Sequence, residues 1–580
     1  VEDRRCHIRT IKPCFGSANL AGWQRRRCQQ AELNSGAMLR SATLRLWRWI
    51  VAVAAIALCF GLVLHLTGTS APLGKLGDLV RPAPTPAQIA LRKKLSELAA
   101  RANVAPADAA DLAAATAFYN SRSGSLLWVT EAGISERGNA VINEIRRADD
   151  WGLRARDFAL PQLRAGALSP EAAAAAEMAL TFAVLKYARH ARGGRLGDLS
   201  SISKVVDYRP PLRRPRDVLA DIAASNAPDA YLRSLHPQHE QFAALRRLLL
   251  QLRGSDATAS AEPGRESADR AVRLARILVN MERWRWLPAD LGELYVWNNV
   301  PEFLTRVVRR GETIHSDTIV AGQPDWATPA FSADMKTIVF HPSWGVPDGI
   351  RRKELWPRLR DSSQGGLLGL FTGAKSSRAV LEQLKLQVSY QGRPIDPDKV
   401  DWGSANIGAY EFRQPPGPAN PLGTIKFMFP NKHDVYMHDT PASERDLFAR
   451  SYRGLSHGCM RVADPLRLAT ILLAQDKGWS EEQVQSLVNG GTTREVALTT
   501  RIPVHMTYFT AMVDRQGDLQ TFGDLYGLDT RMGAILFGAK VPFVTPRYDD
   551  EIRAMRTRHR PASPSGSSTL ADAIANIFSP

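Results

Sequence analysis

VYMHDTP (435–441) and SHGCMRV (456–462) are the two stretches on which the reading of this chain turns, with His438 eighteen positions ahead of Ser456. Cys459 is the only cysteine beyond residue 59 of the 580, so no disulfide framework exists there and its thiol is either an inert core group or a reactive one. A reactive thiol needs exposure and something that favours the thiolate, such as an imidazole or converging backbone N–H dipoles. Gly458 has no side chain and lets a ligand approach the backbone. Asp464-Pro465 marks a loop-to-helix transition, and N–H groups there lower a thiol pKa and donate to an oxyanion. His438, at the end of a strand, can act as general base toward the thiol. Arg461 supplies a fixed positive charge for a carboxylate.

Other chemistries fit less well. His433, His438, His457 and Cys459 are zinc-compatible residue types, but their spacing matches no common zinc signature and a metal would consume the nucleophile. A papain-like protease places its cysteine first and its histidine later, the reverse of the order here. An inactive binding scaffold is disfavoured because His438, Ser456, His457, Gly458, Cys459 and Arg461 are all present.

Working outward, short β-type runs surround the two stretches: ELYVWNNV, FLTRVV, TIHSDTIVAG, TIVFHPSW, LKLQVSY, IKFMFP, DVYMHD and, later, VHMTYFTAMVD. Gly, Pro and Asn punctuate them, which predicts a mostly antiparallel sheet. DPLRLATILLAQ (464–475) predicts a helix after the cysteine. Alternating Ala/Leu patterns over about 88–250, with Leu91, Leu95 and Leu98 at helical spacing, predict a helical region. The overall class is α+β. GSDATASAEPGRESAD (254–269) reads as a linker and AVRLARILVNMERWRWLP (271–288) as a connecting helix. Trp284 and Trp286 do not share a helix face, so that end is expected to pack on the next domain rather than bind nucleic acid. SSQGGLLGLFTGAKSS (362–377) lacks a Walker pattern. PASPSGSS in the tail is expected to be disordered.

At the amino end, WIVAVAAIALCFGLVL (49–64) is apolar, with Arg40, Arg45 and Arg48 before it. That is an export signal of positive-inside type. It falls short of the about 20 residues of a full span, and an uncleaved anchor is preferred over a cleaved leader because no A-x-A site follows. Residues 1–37 lack a clear pattern and Met38 looks like the true start. The net charge of +17 suits nucleic acid, anionic lipid or an acidic polymer, but no zinc-finger or RNA-binding motif accompanies it, so nucleic acid is not expected.

HDTP followed by SHGCMR closely resembles the L,D-transpeptidase (YkuD-type) signature. NMERWRWLP (280–288), TPAF (328–331), HPSWGVP (341–347), FRQPPGPANPLGTIKFMFPN (412–431) and DLYGLD (524–529) extend the resemblance to the large multidomain transpeptidases of Gram-negative bacteria, over roughly 88–545. The resemblance implies Cys459 as nucleophile, His438 as proton donor and acceptor, and the backbone of His457, Gly458 and Cys459 as oxyanion hole. Asp439 or a backbone carbonyl would orient His438, while Arg461, Ser456, Tyr436 and Asp439 would line the substrate site. It further implies peptidoglycan tetrapeptide stems as substrate, 3–3 cross-links as product, carbapenem β-lactams as inhibitors, and no metal or organic cofactor. The expected organisation is a basic cytoplasmic segment (1–48), an inner-membrane signal anchor (49–66), a linker (67–87), a helical scaffold (88–270), a connecting helix (271–289), a periplasmic catalytic domain (290–545) with a lid insertion (348–411), and a tail (546–580). L,D-carboxypeptidase, hydrolase of protein–peptidoglycan links and non-enzymatic scaffold are the alternatives. Large relatives usually carry a peptidoglycan-binding module ahead of the NMERWRW helix; the short linker here gives no reason to expect one.

Overall fold

The structure, a computed structural model, describes residues 83–100, 105–162, 167–254, 265–363, 376–538, 541 and 543. The apolar 49–66 segment, the cysteines before Cys459, the Gly-rich run at 364–375 and the tail lie outside these. Among the described residues no helix is long and apolar enough to cross a membrane.

Residues 84–254 are mainly helical, as the Ala/Leu periodicity requires. Helices α1 (Pro86–Ala99), α2 (Pro106–Ser121), α3 (Glu136–Arg146), α4 (Pro170–Gly193), α5 (Pro215–Ala224), α6 (Pro228–Ser234) and α7 (Glu240–Gly254) follow one another. Five of them begin with Pro in the first turn, where the missing N–H costs nothing, two of these after a capping side chain, Thr85 and Ser169. α1 to α6 share a core of Leu91, Leu95, Trp128, Leu180, Val184 and Leu219. Its most deeply buried carboxylate, Glu177, accepts from the Leu127 and Trp128 N–H groups and the Tyr119 hydroxyl, which offset part of the cost of burying it.

Helix α8 (Arg265–Trp284) leads into the second domain. The expectation of a packed helix end is met: Trp284 stacks on Trp297 at 5.4 Å, and Trp286 is buried in a core shared with residues of both domains.

Eight strands then build a barrel: β1 (Leu294–Asn299), β2 (Leu304–Arg309), β3 (Glu312–Gly322), β4 (Phe331–Phe340), β5 (Ile425–Met428), β6 (Met437–His438), β7 (Met460–Val462) and β8 (Arg494–Thr507). Around the ring the order is β1, β2, β3, β7, β6, β5, β4, β8, and β8 returns to β1. Only β6–β7 and β8–β1 are parallel within it, so the expectation of a mostly antiparallel sheet holds. Parallel neighbours need long crossovers. Here the 439–459 loop supplies one of them. Val296, Met335, Phe340, Phe427, Met437, Met460 and Val504 fill the barrel with Leu468 and Leu472 of helix Pro465–Lys477.

Between β4 and β5 the chain forms a subdomain with its own core around Trp402, Leu359 and Phe412, and a four-stranded sheet of Trp344–Gly345, Tyr410–Gln414, Gln387–Tyr390 and Arg393–Pro394. It covers most of the segment read as a lid insertion.

Candidate active site

Met437 and Met460, opposite each other in the β6–β7 register, are fully buried in the barrel. Side chains alternate along a strand, so their neighbours Tyr436 and His438, Cys459 and Arg461, face the other way. The two sequence stretches thereby meet on one outer face of the barrel.

Cys459 is a free, half-buried thiol immediately before β7. Its Sγ lies 3.8 Å from the Asp434 carbonyl oxygen, and Asp434 holds a left-handed φ of 55°. Burial pushes the thiol pKa above its ordinary value; the Tyr436 N–H, the Lys426 ammonium, the Tyr436 hydroxyl and Arg461 oppose that rise.

His438 is 5 % exposed. Its Nδ1 donates to the Asp439 carbonyl oxygen at 2.5 Å, which fixes the tautomer with Nε2 free to accept a proton. Burial, with help from Arg461 and Lys426, pushes the imidazole down to about 3, so the ring is neutral at pH 7. No hydrogen bond joins the ring to Sγ here, because the thiol is turned toward Asp434. In unliganded sites such contacts commonly tighten only when substrate arrives.

Of the two orienters considered for His438, the carbonyl fills the role. The Asp439 carboxylate is buried instead among the Thr424 N–H (2.8 Å), the Thr440 N–H (2.6 Å) and Arg445 (3.0 Å). A Cβ on Gly423 would sit 2.5 Å from it, so that glycine is required for close packing.

The 456–459 loop is held from several sides. Ser456 Oγ donates to the Cys459 carbonyl at 2.5 Å and accepts from the Gly458 N–H at 3.2 Å. Thr328 Oγ1 donates to the Gly458 carbonyl and accepts from the Gly322 N–H, both at 2.8 Å. Tyr526 donates to the Gly322 carbonyl at 2.7 Å and accepts from the Thr328 N–H at 3.0 Å. The TPAF and DLYGLD segments thus brace this loop, 130 and 68 residues away in sequence. With the Gly458 N–H engaged, the N–H groups of His457 and Cys459 are the loop's unpartnered donors among the described residues. Gly458 itself, at φ 104°, occupies a conformation that side chains disfavour.

His457 Nε2 donates to the Glu354 carboxylate at 2.9 Å, and its ring lies against Trp326 at 5.1 Å. Glu354 belongs to a π-helical turn, Arg351–Leu355, of the inserted subdomain, which therefore touches the motif directly. Arg461 is 7 % exposed and paired with Glu444, a partner the sequence reading did not anticipate. His433, weighed above as a zinc ligand, is bound instead to Asp207 at 2.9 Å.

Lys426 is the residue that sequence reasoning quoted without assigning. Its register partner is His438, and its Nζ lies 3.8 Å from the Tyr436 ring centroid. The alternating pattern of IKFM, with Ile425 and Phe427 buried, was the signal that turned Lys426 to the opposite face.

The barrel and this face define a class: a protein that presents a cysteine thiol, a neutral buried histidine and spare backbone N–H donors together, the equipment of acyl transfer. Residues 293–490 match the model of the L,D-transpeptidase catalytic domain (YkuD), and residues 113–249 match a scaffold domain. Residues 293–490 thereby belong to the L,D-transpeptidase catalytic domain family of the YkuD type. It is 28 % identical over 258 residues, 44 % of its length, to a Haemophilus influenzae protein named "Putative L,D-transpeptidase". The match covers 48 % of that relative, so the chain spans about half its length. Two solved structures, an L,D-transpeptidase from Mycobacterium smegmatis and the Ldtfm-avibactam carbamoyl enzyme, are each 12 % identical. They cover 37 % and 38 % of this chain and 58 % and 50 % of their own, with TM-scores of 0.16 and 0.15, too low to bear on the fold.

Proposed function

We propose that this chain is a cysteine L,D-transpeptidase that forms 3–3 cross-links between peptidoglycan stems. The observation that carries the proposal is the convergence of Cys459, His438 and the free N–H groups of His457 and Cys459 on one face inside the matched domain.

In the reaction, Cys459 Sγ attacks the carbonyl carbon of the third residue of a tetrapeptide stem, and the thiol proton passes to His438 Nε2. The oxyanion that forms is held by the His457 and Cys459 N–H groups. Collapse breaks the amide to the fourth residue; His438 returns the proton to the departing D-alanine amine, leaving a thioester. The amine of a second stem then attacks the thioester, gives its proton to His438, and the thiolate leaves and is reprotonated. Neutral His438 suits the first step, since it must begin unprotonated. Water in place of the amine would give an L,D-carboxypeptidase on the same residues. The active site belongs in the periplasm, tethered to the inner membrane by the 49–66 segment, with β-lactams of the carbapenem type as acylating inhibitors. The inserted subdomain, through Glu354 and His457, acts as the lid. No metal or organic cofactor takes part.

The test is product analysis of the protein with tetrapeptide muropeptides and an amine acceptor. Cross-linked dimers that vanish in Cys459→Ser support transpeptidation. Tripeptide without dimers would replace it with the carboxypeptidase, and no turnover would leave a wall-binding scaffold.

A further inference from the structure

Lys426 sits in an unusual position for a lysine. It lies in the middle of the barrel wall on β5, half-buried, with its ammonium over the Tyr436 ring and no ion pair to any carboxylate among the described residues. The cross-strand position opposite it is His438, and Tyr436 lies in the next outward-facing position beside Cys459. A partly desolvated ammonium that rests on an aromatic face, with the Glu495 carboxylate acting on it only from two strands away and beyond ion-pair distance, keeps unmet capacity for an anion, because a ring supplies far less than a contacting carboxylate does. Arg461, the other cation of this face, is already occupied by Glu444.

We propose that Lys426 forms an anion-binding subsite beside Cys459 that takes a carboxylate of the incoming acyl donor. The inference rests on the reading of Cys459 as the nucleophile, and it deepens that reading by replacing Arg461 with Lys426 as the main carboxylate receptor. Tyr436 forms the floor of the subsite. Its ring holds the ammonium from below, and its hydroxyl faces the thiol. A donor stem whose free carboxylate meets Lys426 would bring its neighbouring carbonyl carbon over Sγ. An amidated stem would lose that anchor. The subsite therefore selects for anionic stems.

Two alkylating agents of nearly equal size separate this from other effects: iodoacetate, which carries a carboxylate, and iodoacetamide, which does not. Both react with the same thiolate, so the ratio of their rates at Cys459 cancels any change in thiol pKa and reports the anion site alone. The ratio is measured on the full chain against free cysteine, then in Lys426→Met and Lys426→Arg. The parent is expected to favour iodoacetate about ten-fold relative to free cysteine, as one close and partly desolvated charge provides. Lys426→Met is expected to erase that preference and Lys426→Arg to keep most of it, with stem peptides showing the same order between free and amidated carboxylates. A parent ratio equal to that of free cysteine overturns the proposal without any variant, and so does an unchanged ratio in Lys426→Met. Because alkylation needs no peptidoglycan, a preference for iodoacetate in a protein that turns over no muropeptide would sink the transpeptidase reading and leave the subsite standing.

Discussion

At the scale of single residues, the site rests as a neutral pair, a thiol raised by burial and an imidazole held near 3. This differs from a preformed thiolate–imidazolium pair, and it predicts how reactivity depends on pH. Alkylation of Cys459 by iodoacetamide should keep rising with pH beyond the ordinary thiol range; a plateau near pH 6 would show a preformed ion pair instead. The same depressed histidine contributes to stability with a definite sign. Between pH 6.5 and about 3 the unfolded chain binds a proton at His438 that the folded chain does not, so this contribution is full above 6.5 and is lost as the pH falls toward 3. The stability advantage of the parent over His438→Gln in chemical denaturation should accordingly shrink on going from pH 7 to pH 4, and a constant difference would contradict the assignment. Cys459, His438 and the motif loop were legible from residue type and spacing alone. Glu444 as the partner of Arg461, and the fate of the Asp439 carboxylate, were not, because both depend on which side chain reaches a buried group first.

At the scale of elements, the site depends on a crossover. β6 and β7 are parallel neighbours, and the loop between them must return along the barrel before Cys459 can stand beside Tyr436. The loop is then fastened to the turn after β3 through Gly322 and Thr328. Gly322 admits no side chain: a Cβ would lie 2.1 Å from the Trp326 carbonyl oxygen and 3.0 Å from the Gly458 Cα. Gly322→Ala should therefore displace the 456–459 loop, lowering the alkylation rate of Cys459 severalfold and stability by about 1–3 kcal/mol in denaturant melts. An unchanged rate would show that the brace does not set the thiol's position. Strand existence was readable from alternation, as in IKFM and TIVF, yet the closing β8–β1 pair and the parallel β6–β7 pair were not, since alternation specifies a face and says nothing about which strand lies alongside.

For the whole molecule, residues 84–254 do more than precede the barrel. Asp207 accepts from Lys432 at 2.8 Å and pairs with His433 at 2.9 Å, one residue before the Asp434 that touches the thiol. The same stretch pairs with Ala330, two residues beyond the Thr328 brace, through Ala330 N–H to Val205 O at 2.7 Å and Asp207 N–H to Ala330 O at 2.9 Å. Asp207→Ala should lower the rate of Cys459 alkylation while the thermal midpoint moves by only a few degrees, as expected for about 1 kcal/mol; a parent rate would show that the helical domain leaves the site unaffected. Arg285, 1 % exposed, is the opposite case, a purely structural clamp. It donates to Ala191 O at 2.7 Å and Trp151 O at 2.5 Å, and lies 3.7 Å from Glu282. Arg285→Ala removes the charge beside that carboxylate, leaving it the Arg195 and Leu196 N–H groups, and should cost about 3–5 kcal/mol of stability, read by denaturant melts. The division into a helical part and a β-rich part was visible in the change of period near residue 290. The contacts that join them were hidden, because NMERWRW announces a packed aromatic helix end without naming what it packs on, and VVDY (205–208) carries no signal that it bridges to Ala330, the residue just before β4.

The account stands or falls on whether Cys459 becomes acylated, and intact mass spectrometry of the protein quenched during turnover of a tetrapeptide stem tests that directly. The account predicts a mass increase equal to the stem less its terminal D-alanine, located on Cys459 by peptide mapping and missing in Cys459→Ser. Release of D-alanine with no mass increase, or with an adduct that persists in Cys459→Ser, would contradict it.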